Sequence, residues 1–211
     1  MSYYSLKSPR GISNVKKLNM MNLVSGMLFY TSIMTLFLLQ RNIEVGFLVA
    51  AQTVFSVSMM LGELPTGVLA DKYGQLMSTR LGLLLDSVGM VQLLLIRSPI
   101  AMLAYFAVRG ISVALRSGSD EALLYESYVE EKGTPKGYSK AFGTFLSMDI
   151  LGFVLASAIA GVAVQLFGDA AFVPLIIMPG IVVLGALGIP STLNINEKKV
   201  VNKQDFNALK H

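Results

Sequence analysis

The chain has 211 residues, of which 54% are hydrophobic and only 14% charged, and its formal net charge is +4. Soluble domains usually carry about 25% charged residues, and here the charged residues cluster between long apolar runs. The sequence therefore predicts an integral membrane protein with helices that are apolar on most faces. There is no cysteine and His211 is the single histidine, which excludes disulfides, thiolate metal sites and histidine-based nucleophiles.

Six segments are long and apolar enough to cross a bilayer, for which about 20 residues are needed. They cover residues 18–40, 44–70, 79–96, 99–119, 140–166 and 170–191. The first is too long for the apolar region of a signal peptide, so we expect it to be retained. We predict an all-α bundle of six transmembrane helices over residues 18–191. A cytoplasmic tail (1–17) precedes it, and a polar tail or linker (192–211) follows.

The distribution of basic residues predicts the orientation of the chain. Thirteen of the 17 Lys and Arg residues lie in the two tails and in the connections after the second and fourth spans. Only Arg41 and Arg97 lie in the other connections. We therefore expect a multi-pass protein of the inner or plasma membrane with both termini cytoplasmic. Because the bases flank apolar spans and line no polar surface, we expect the lipid bilayer and no nucleic acid as a partner.

A charged hinge lies between the second and third spans. It reads Glu63-Leu-Pro-Thr-Gly-Val-Leu-Ala-Asp-Lys-Tyr-Gly-Gln-Leu-Met-Ser-Thr-Arg80. It resembles the signature loop of the major facilitator superfamily, G-x-L-A-D-[RK]-x-G-[RK]-[RK]. The matching residues are Gly67, Leu69, Ala70, Asp71, Lys72 and Gly74, whereas Gln75 and Leu76 replace two bases. The resemblance implies that this loop gates the cytoplasmic side, with Asp71 as the latch anion and Lys72 and Arg80 as its basic partners. The alternative is an ordinary solvated turn.

Small residues recur every four positions on two of the predicted helices, which favours close helix packing. One stripe is Gly62, Thr66 and Ala70, and the other is Gly110, Ala114, Gly118 and Ala122. The segment 116–128, at the end of the second stripe, resembles the cytoplasmic end of helix 4 in many bacterial facilitator proteins. There Asp120, Glu121 or Glu126 either pairs with Arg80 or forms a plain acidic helix end.

Four ionisable residues, Glu63, Asp86, Arg109 and Asp149, interrupt the apolar spans. A charge at the centre of a bilayer costs at least about 2.5–3.5 kcal/mol, so such residues usually face a bundle interior or an aqueous cavity. Two interpretations stay open at this point. These residues handle substrate or protons, or Arg109 forms a structural ion pair with Asp86 or Asp149.

The resemblance implies secondary active transport of a small solute by alternating access, with this chain as the N-terminal six-helix half, built from two inverted three-helix repeats. A half-size or truncated transporter would need a second half or another copy of itself. The alternative is a non-transporting membrane protein, such as a regulatory partner or a relic of a transporter. We expect no enzyme activity, no cofactor and no metal site, since we find no paired catalytic motif and no nucleotide loop. The sequence names neither the substrate nor the direction of coupling.

Overall fold

The structure is a computed structural model that describes residues 12–193. The predictions for residues 1–11 and 194–211 fall outside this range. Residues 12–193 contain helices and no strand. The helices are α1 (Asn14–Ser25), α2 (Met34–Leu39), α3 (Val45–Tyr73), α4 (Gln75–Leu95), α5 (Pro99–Lys132), α6 (Tyr138–Phe167), α7 (Phe172–Ala186) and α8 (Gly188–Ser191), with a 3-10 turn at Gly168–Ala171.

Four of the described segments are long and apolar enough to cross a membrane. Helices α3, α4 and α5 are three of them, and the fourth, Tyr138–Pro190, contains both α6 and α7. Gly168 separates these two helices with a positive φ of 55°, a conformation that glycine adopts readily. The apolar helices confirm a multi-pass membrane protein, and the count of six spans stays a prediction.

The first predicted span is wrong as a single continuous helix. Residues 26–33 between α1 and α2 form turns instead. At the start of this break, a side chain on Gly26 would collide with the Asp149 carbonyl of α6, so the chain there packs backbone to backbone. The length of the apolar run does not reveal this break, because most residues of the break are themselves apolar.

Helix α5 continues 13 residues past its predicted end at 119 and stops at Lys132, where Gly133 adopts a φ of 70°. The added turns are amphipathic. Leu123 and Leu124 are fully buried in a cluster with Leu18 of α1 and Phe145 of α6. The helix continues beyond the apolar run of the sequence because tertiary packing stabilises its later turns.

The small residues set how the helices pack. Helices α3 and α5 run antiparallel, since a Cβ on Gly62 would lie 3.0 Å from the Ala114 side chain and one on Gly110 would lie 2.5 Å from the Phe55 carbonyl. Thr66 reinforces this contact by donating a hydrogen bond to the Ala114 carbonyl at 3.1 Å. The two predicted stripes therefore face each other.

The remaining helices fit the same bundle. In α1, Asn22 Nδ2 donates a hydrogen bond to the Phe145 carbonyl of α6 at 2.7 Å. Further along both segments, Ser32 Oγ, after the end of α1, donates one to Ser157 Oγ of α6 at 2.8 Å. These two helices are therefore parallel. Helix α7 packs on α4, where a Cβ on Gly180 would lie 3.2 Å from the Met90 side chain.

The two ends of the bundle are held by different polar contacts. At the end that carries the first and last described residues, Ser13 donates a hydrogen bond to Glu131 (2.7 Å) and Lys17 donates one to the Thr192 carbonyl (2.7 Å). At the opposite end the Arg41 guanidinium donates to the carbonyls of Leu94 (2.8 Å) and Ile96. Burial, and then repulsion from Arg97, lowers the pKa of Arg41, but a guanidinium stays charged at physiological pH.

Candidate functional site

A buried charge network joins α4 to α5, and Asp86 is its centre. Asp86 is 4% exposed. Its carboxylate accepts a hydrogen bond from Arg109 and lies 3.4 Å from Nη1 of Arg116, and the Ser112 hydroxyl contacts the same carboxylate. Arg109, Ser112 and Arg116 are three and four residues apart, so they lie on one face of α5. Asp86 of α4 therefore contacts all three of these side chains on a single face of α5.

The network continues towards the end of the bundle that carries Ser13. Arg116 approaches Asp120 one turn further along α5, with its Nη2 at 3.1 Å and its Nε at 3.2 Å from Oδ2. Thr79 of α4 donates a hydrogen bond to the other oxygen of Asp120 at 2.6 Å. Two acids and two bases thus balance each other in charge. Burying any of them singly would be unfavourable, whereas the connected set is paired and hydrogen-bonded.

The close approach of α4 and α5 depends on Gly82. A Cβ at this position would collide with the Arg116 side chain and would lie 3.0 Å from the Ser112 carbonyl. The carbonyl of Gly82 itself accepts a hydrogen bond from Ser112 Oγ at 2.9 Å. The missing side chain therefore gives Arg116 the space to lie between its two acids.

At the other end of the network, Arg109 borders a pocket of about 350 Å³ between the break in the first predicted span, α3 and α5. Its Nε donates a hydrogen bond at 3.2 Å to the hydroxyl of Tyr30, which lies within the break. Gln52 of α3 and Tyr105 of α5 also line this cavity, which we call the Arg109 pocket. The break thus brings a hydroxyl to a buried guanidinium.

These contacts decide between the partners predicted for the charged residues. Arg109 pairs with Asp86 and not with Asp149, which is exposed on α6 beside Gly26. Asp120 contacts Arg116 and Thr79 instead of Arg80. Helical periodicity placed Asp86 and Arg109 on inward faces correctly. It could not show which helices are neighbours.

The charged residues of the signature loop between α3 and α4 are exposed, whereas Asp86 is buried. Gly74 alone connects α3 and α4, and its φ of 95° is accessible mainly to glycine. Asp71 and Lys72 are exposed, and the Lys72 amine lies 5.1 Å from the centre of the Tyr73 ring. The predicted turn at Gly74 is therefore confirmed.

A cleft of about 320 Å³ lies beside this loop. It brings together Glu63, Gly67 and Asp71 with Ser117 and Ser119 of α5. Glu63, one of the four residues predicted for a substrate or proton pathway, thus lies on the loop side of the bundle. The acidic groups of this cleft lie at its exposed rim, unlike Asp86.

Other predicted loop partners stay predictions. Glu121 is exposed, and its backbone carbonyl accepts a hydrogen bond from the Tyr138 hydroxyl at 3.4 Å. Arg80 and Glu126 are both half-buried at this end of the bundle. Pairing of Arg80 with either acid is untested.

Sequence reasoning missed Tyr30 and Thr79 of the network. Ser112 and Arg116 share the helix face of Arg109 in the sequence pattern, but they were given no role in the site. Arg116 and Asp120 carried a usable signal, since an Arg and an Asp four residues apart on one helix are neighbours. Tyr30 carried none, because its role follows from the break before α2. No group of three or more His, Cys, Asp or Glu side chains within residues 12–193 is arranged to hold a metal ion.

Membrane-length apolar helices packed through small residues around a buried, neutral charge network define a multi-pass helical membrane protein. The sequence model of the Major Facilitator Superfamily matches residues 18–207. The chain therefore belongs to the major facilitator superfamily, a family of membrane transporters. No curated protein matches the chain.

Proposed function

We propose that this chain forms one wall of a secondary transporter that moves a small solute across the membrane by alternating access. The observation that carries the proposal is the Arg109 pocket. There a buried guanidinium is joined to a broken helix on one side and to a neutral ion network on the other. Secondary transporters place their sites near the bilayer midplane, beside discontinuous helices.

The depth of Arg109 supports this role. It lies ten residues after Pro99, the first residue of α5, which is about 15 Å along a helix that rises 1.5 Å per residue. The hydrocarbon core is about 30 Å thick. If α5 enters the core at Pro99, Arg109 and the pocket lie near its middle.

The cleft beside Asp71 would then govern access from the cytoplasmic side. Its acids are exposed, so they can exchange partners during a conformational change at little cost, because exposed ion pairs contribute only about 0–1 kcal/mol. The network at Asp86 is buried and paired, which suits a rigid wall. In this proposal the loop changes its contacts during transport, while the α4–α5 contact stays fixed.

A second bundle would cover the open face of this one. In the most apolar part of α3 only 11% of residues are buried, against 50% in α4. Asp86 and Arg109 are paired within this chain, so their charge does not require a partner. The exposed groups are Glu63 and the apolar residues of α3 and α6. We propose that a second six-helix bundle or another copy of this chain packs there.

Alternating access can be tested without knowing the solute. The chain has no native cysteine, so single cysteines report cleanly on exposure. Thr35→Cys places a thiol in the Arg109 pocket, Ser117→Cys places one in the cleft beside Asp71, and Ile100→Cys is a control at the exposed start of α5. In proteoliposomes that also contain the second bundle, a condition that raises the alkylation rate at position 35 should lower it at 117 and leave position 100 unchanged.

Adding Asp71→Asn to each reporter supplies that condition. We expect opposite changes in the rates at positions 35 and 117. Rates that never change in opposite directions would favour a membrane protein that does not transport.

The topology has its own test. Reporter fusions after Lys17, Lys132 and Lys199 should report the cytoplasm, and fusions near Arg97 and Asp169 the other side. A periplasmic signal from the Lys132 fusion would overturn the six-span layout and the cytoplasmic position of the Asp71 loop.

A further inference from the structure

The Arg109 pocket has a chemical character of its own. Resting on the transport function proposed above, we infer that it binds an amphipathic organic anion, in which a carboxylate or a similar head group is attached to an apolar body. The inference depends on the charge of the lining, on the way Asp86 is held, and on the apolar side walls.

The charge of the lining favours an anion. Arg109 is the only Lys, Arg, Asp or Glu residue among the described residues that line the pocket. Two acids that we predicted for the same substrate or proton pathway, Glu63 and Asp149, do not line this pocket. The carboxylate that pairs with Arg109, Asp86, lies outside the lining, so a cationic solute would meet the guanidinium and no carboxylate within the pocket.

Arg109 can bind an anion without leaving Asp86 unpaired. Asp86 also lies 3.4 Å from Arg116, and its carboxylate contacts the Ser112 hydroxyl, so two other groups still hold it. A guanidinium has five N–H donors in a fixed fork. The contacts with Tyr30 and Asp86 use the Nε and Nη1 atoms of Arg109. A carboxylate in the pocket would add a charge-assisted hydrogen bond to this fork.

The rest of the lining matches an apolar body. Phe55 and Phe106 provide aromatic rings, and Met34 provides a flexible thioether that adapts to irregular shapes. Thr31 and Gln52 add polar groups that can fix an orientation. Mostly apolar walls with a few polar groups are typical of small-molecule sites of 300–1,000 Å³. A small inorganic anion would leave these walls in contact with water.

The charge preference can be measured with three probes of nearly equal size: 3-phenylpropanoate, 3-phenylpropanamide and 3-phenylpropylamine. Binding to the purified protein in nanodiscs is followed by calorimetry. We expect the anion to bind about tenfold or more tightly than the amide, which corresponds to about 1.4 kcal/mol. The amine should bind most weakly. Equal affinities, tightest binding of the amine, or no saturable binding of the anion would each overturn the inference.

Two variants locate the preference in this pocket. Arg109→Gln should remove the advantage of the anion over the amide. If this variant does not fold, Gln52→Glu gives the answer, because Gln52 is an exposed lining residue outside the charge network. It should remove the advantage of the anion and raise the affinity for the amine, because it adds a carboxylate to the lining that contains Arg109.

Gln75→Glu is the matched control, since Gln75 lines the cleft beside Asp71 and not the Arg109 pocket. It should leave the order of the three probes unchanged. An order that responds to Gln75→Glu as it does to Gln52→Glu would place the site elsewhere. The result is independent of the cysteine experiment, because equilibrium binding with the expected charge preference can occur without alternating access, and alternating access can occur with a different solute.

Discussion

The chain places similar acids and bases in two regions with opposite surroundings. At the α4–α5 contact, Asp86 and Asp120 are 4% and 5% exposed, and their hydrogen bonds and ion pairs are made inside the bundle. At the α3–α4 loop, Glu63 and Asp71 are exposed beside an open cleft. The comparison teaches that a charge within an apolar sequence has no fixed role. Burial and partners make one set part of the fold, and exposure leaves the other set free to act in a conformational change.

The largest effect should come from Asp86→Asn. The change removes one of two acids that neutralise Arg109 and Arg116, and breaking a buried ion pair from one side costs about 3–5 kcal/mol. The free energy of unfolding, measured by denaturant titration in mixed micelles, should fall by that amount or the folded protein should not accumulate.

Asp149→Asn is the matched control, because Asp149 is an exposed carboxylate on α6. Surface substitutions usually change stability by about 0.5 kcal/mol or less. A similar loss of stability in both variants would contradict the contrast between buried and exposed acids.

The next effect sharpens the assignment of partners. In a double-mutant cycle, Arg109→Ala should couple to Asp86→Asn by about 1–3 kcal/mol, because the two side chains are in contact. The cycle with Asp149→Asn should show a smaller coupling, because no ion pair joins Asp149 to Arg109. Additivity in both cycles would show that the ion pair contributes nothing to stability.

Two glycines allow the same comparison without changing any charge. Gly82→Ala should lower the free energy of unfolding by about 1–3 kcal/mol, since overpacking a tight contact has that cost and the Arg116 side chain occupies the space. Gly67→Ala, on the loop side, has no atom within 4 Å of the new methyl group. It should be neutral or stabilising by about 0.5–1 kcal/mol, because glycine weakens a helix interior. Equal destabilisation by both changes would mean that α4–α5 packing is no closer than the loop side.

The smallest effect on stability should come from Asp71→Asn, at less than about 1 kcal/mol, since the side chain is exposed. Its effect should instead fall on turnover. With the second bundle present, proteoliposome uptake should slow while the affinity for the transported solute stays within about twofold. Lost binding with unchanged cleft accessibility would show that Asp71 contacts the solute and is not a latch.

The sequence by itself determined the membrane class, the helices α3 to α6 and the family. These follow from local quantities, namely apolar run length, small residues every four positions and a short charged loop with glycine at a fixed place. It also placed Asp86 and Arg109 on inward faces, because helical periodicity is a property of one segment.

Only the tertiary structure decided the partners and the break. Whether Arg109 pairs with Asp86 or Asp149 depends on which helices are neighbours, and periodicity within one helix contains no such information. The apolar run continues through residues 26–33 and does not mark the break, which forms where Gly26 meets the backbone of α6 and Tyr30 reaches Arg109. The contacts between different elements in the charge network join residues 23 to 79 positions apart, and those distances in sequence are closed only by packing.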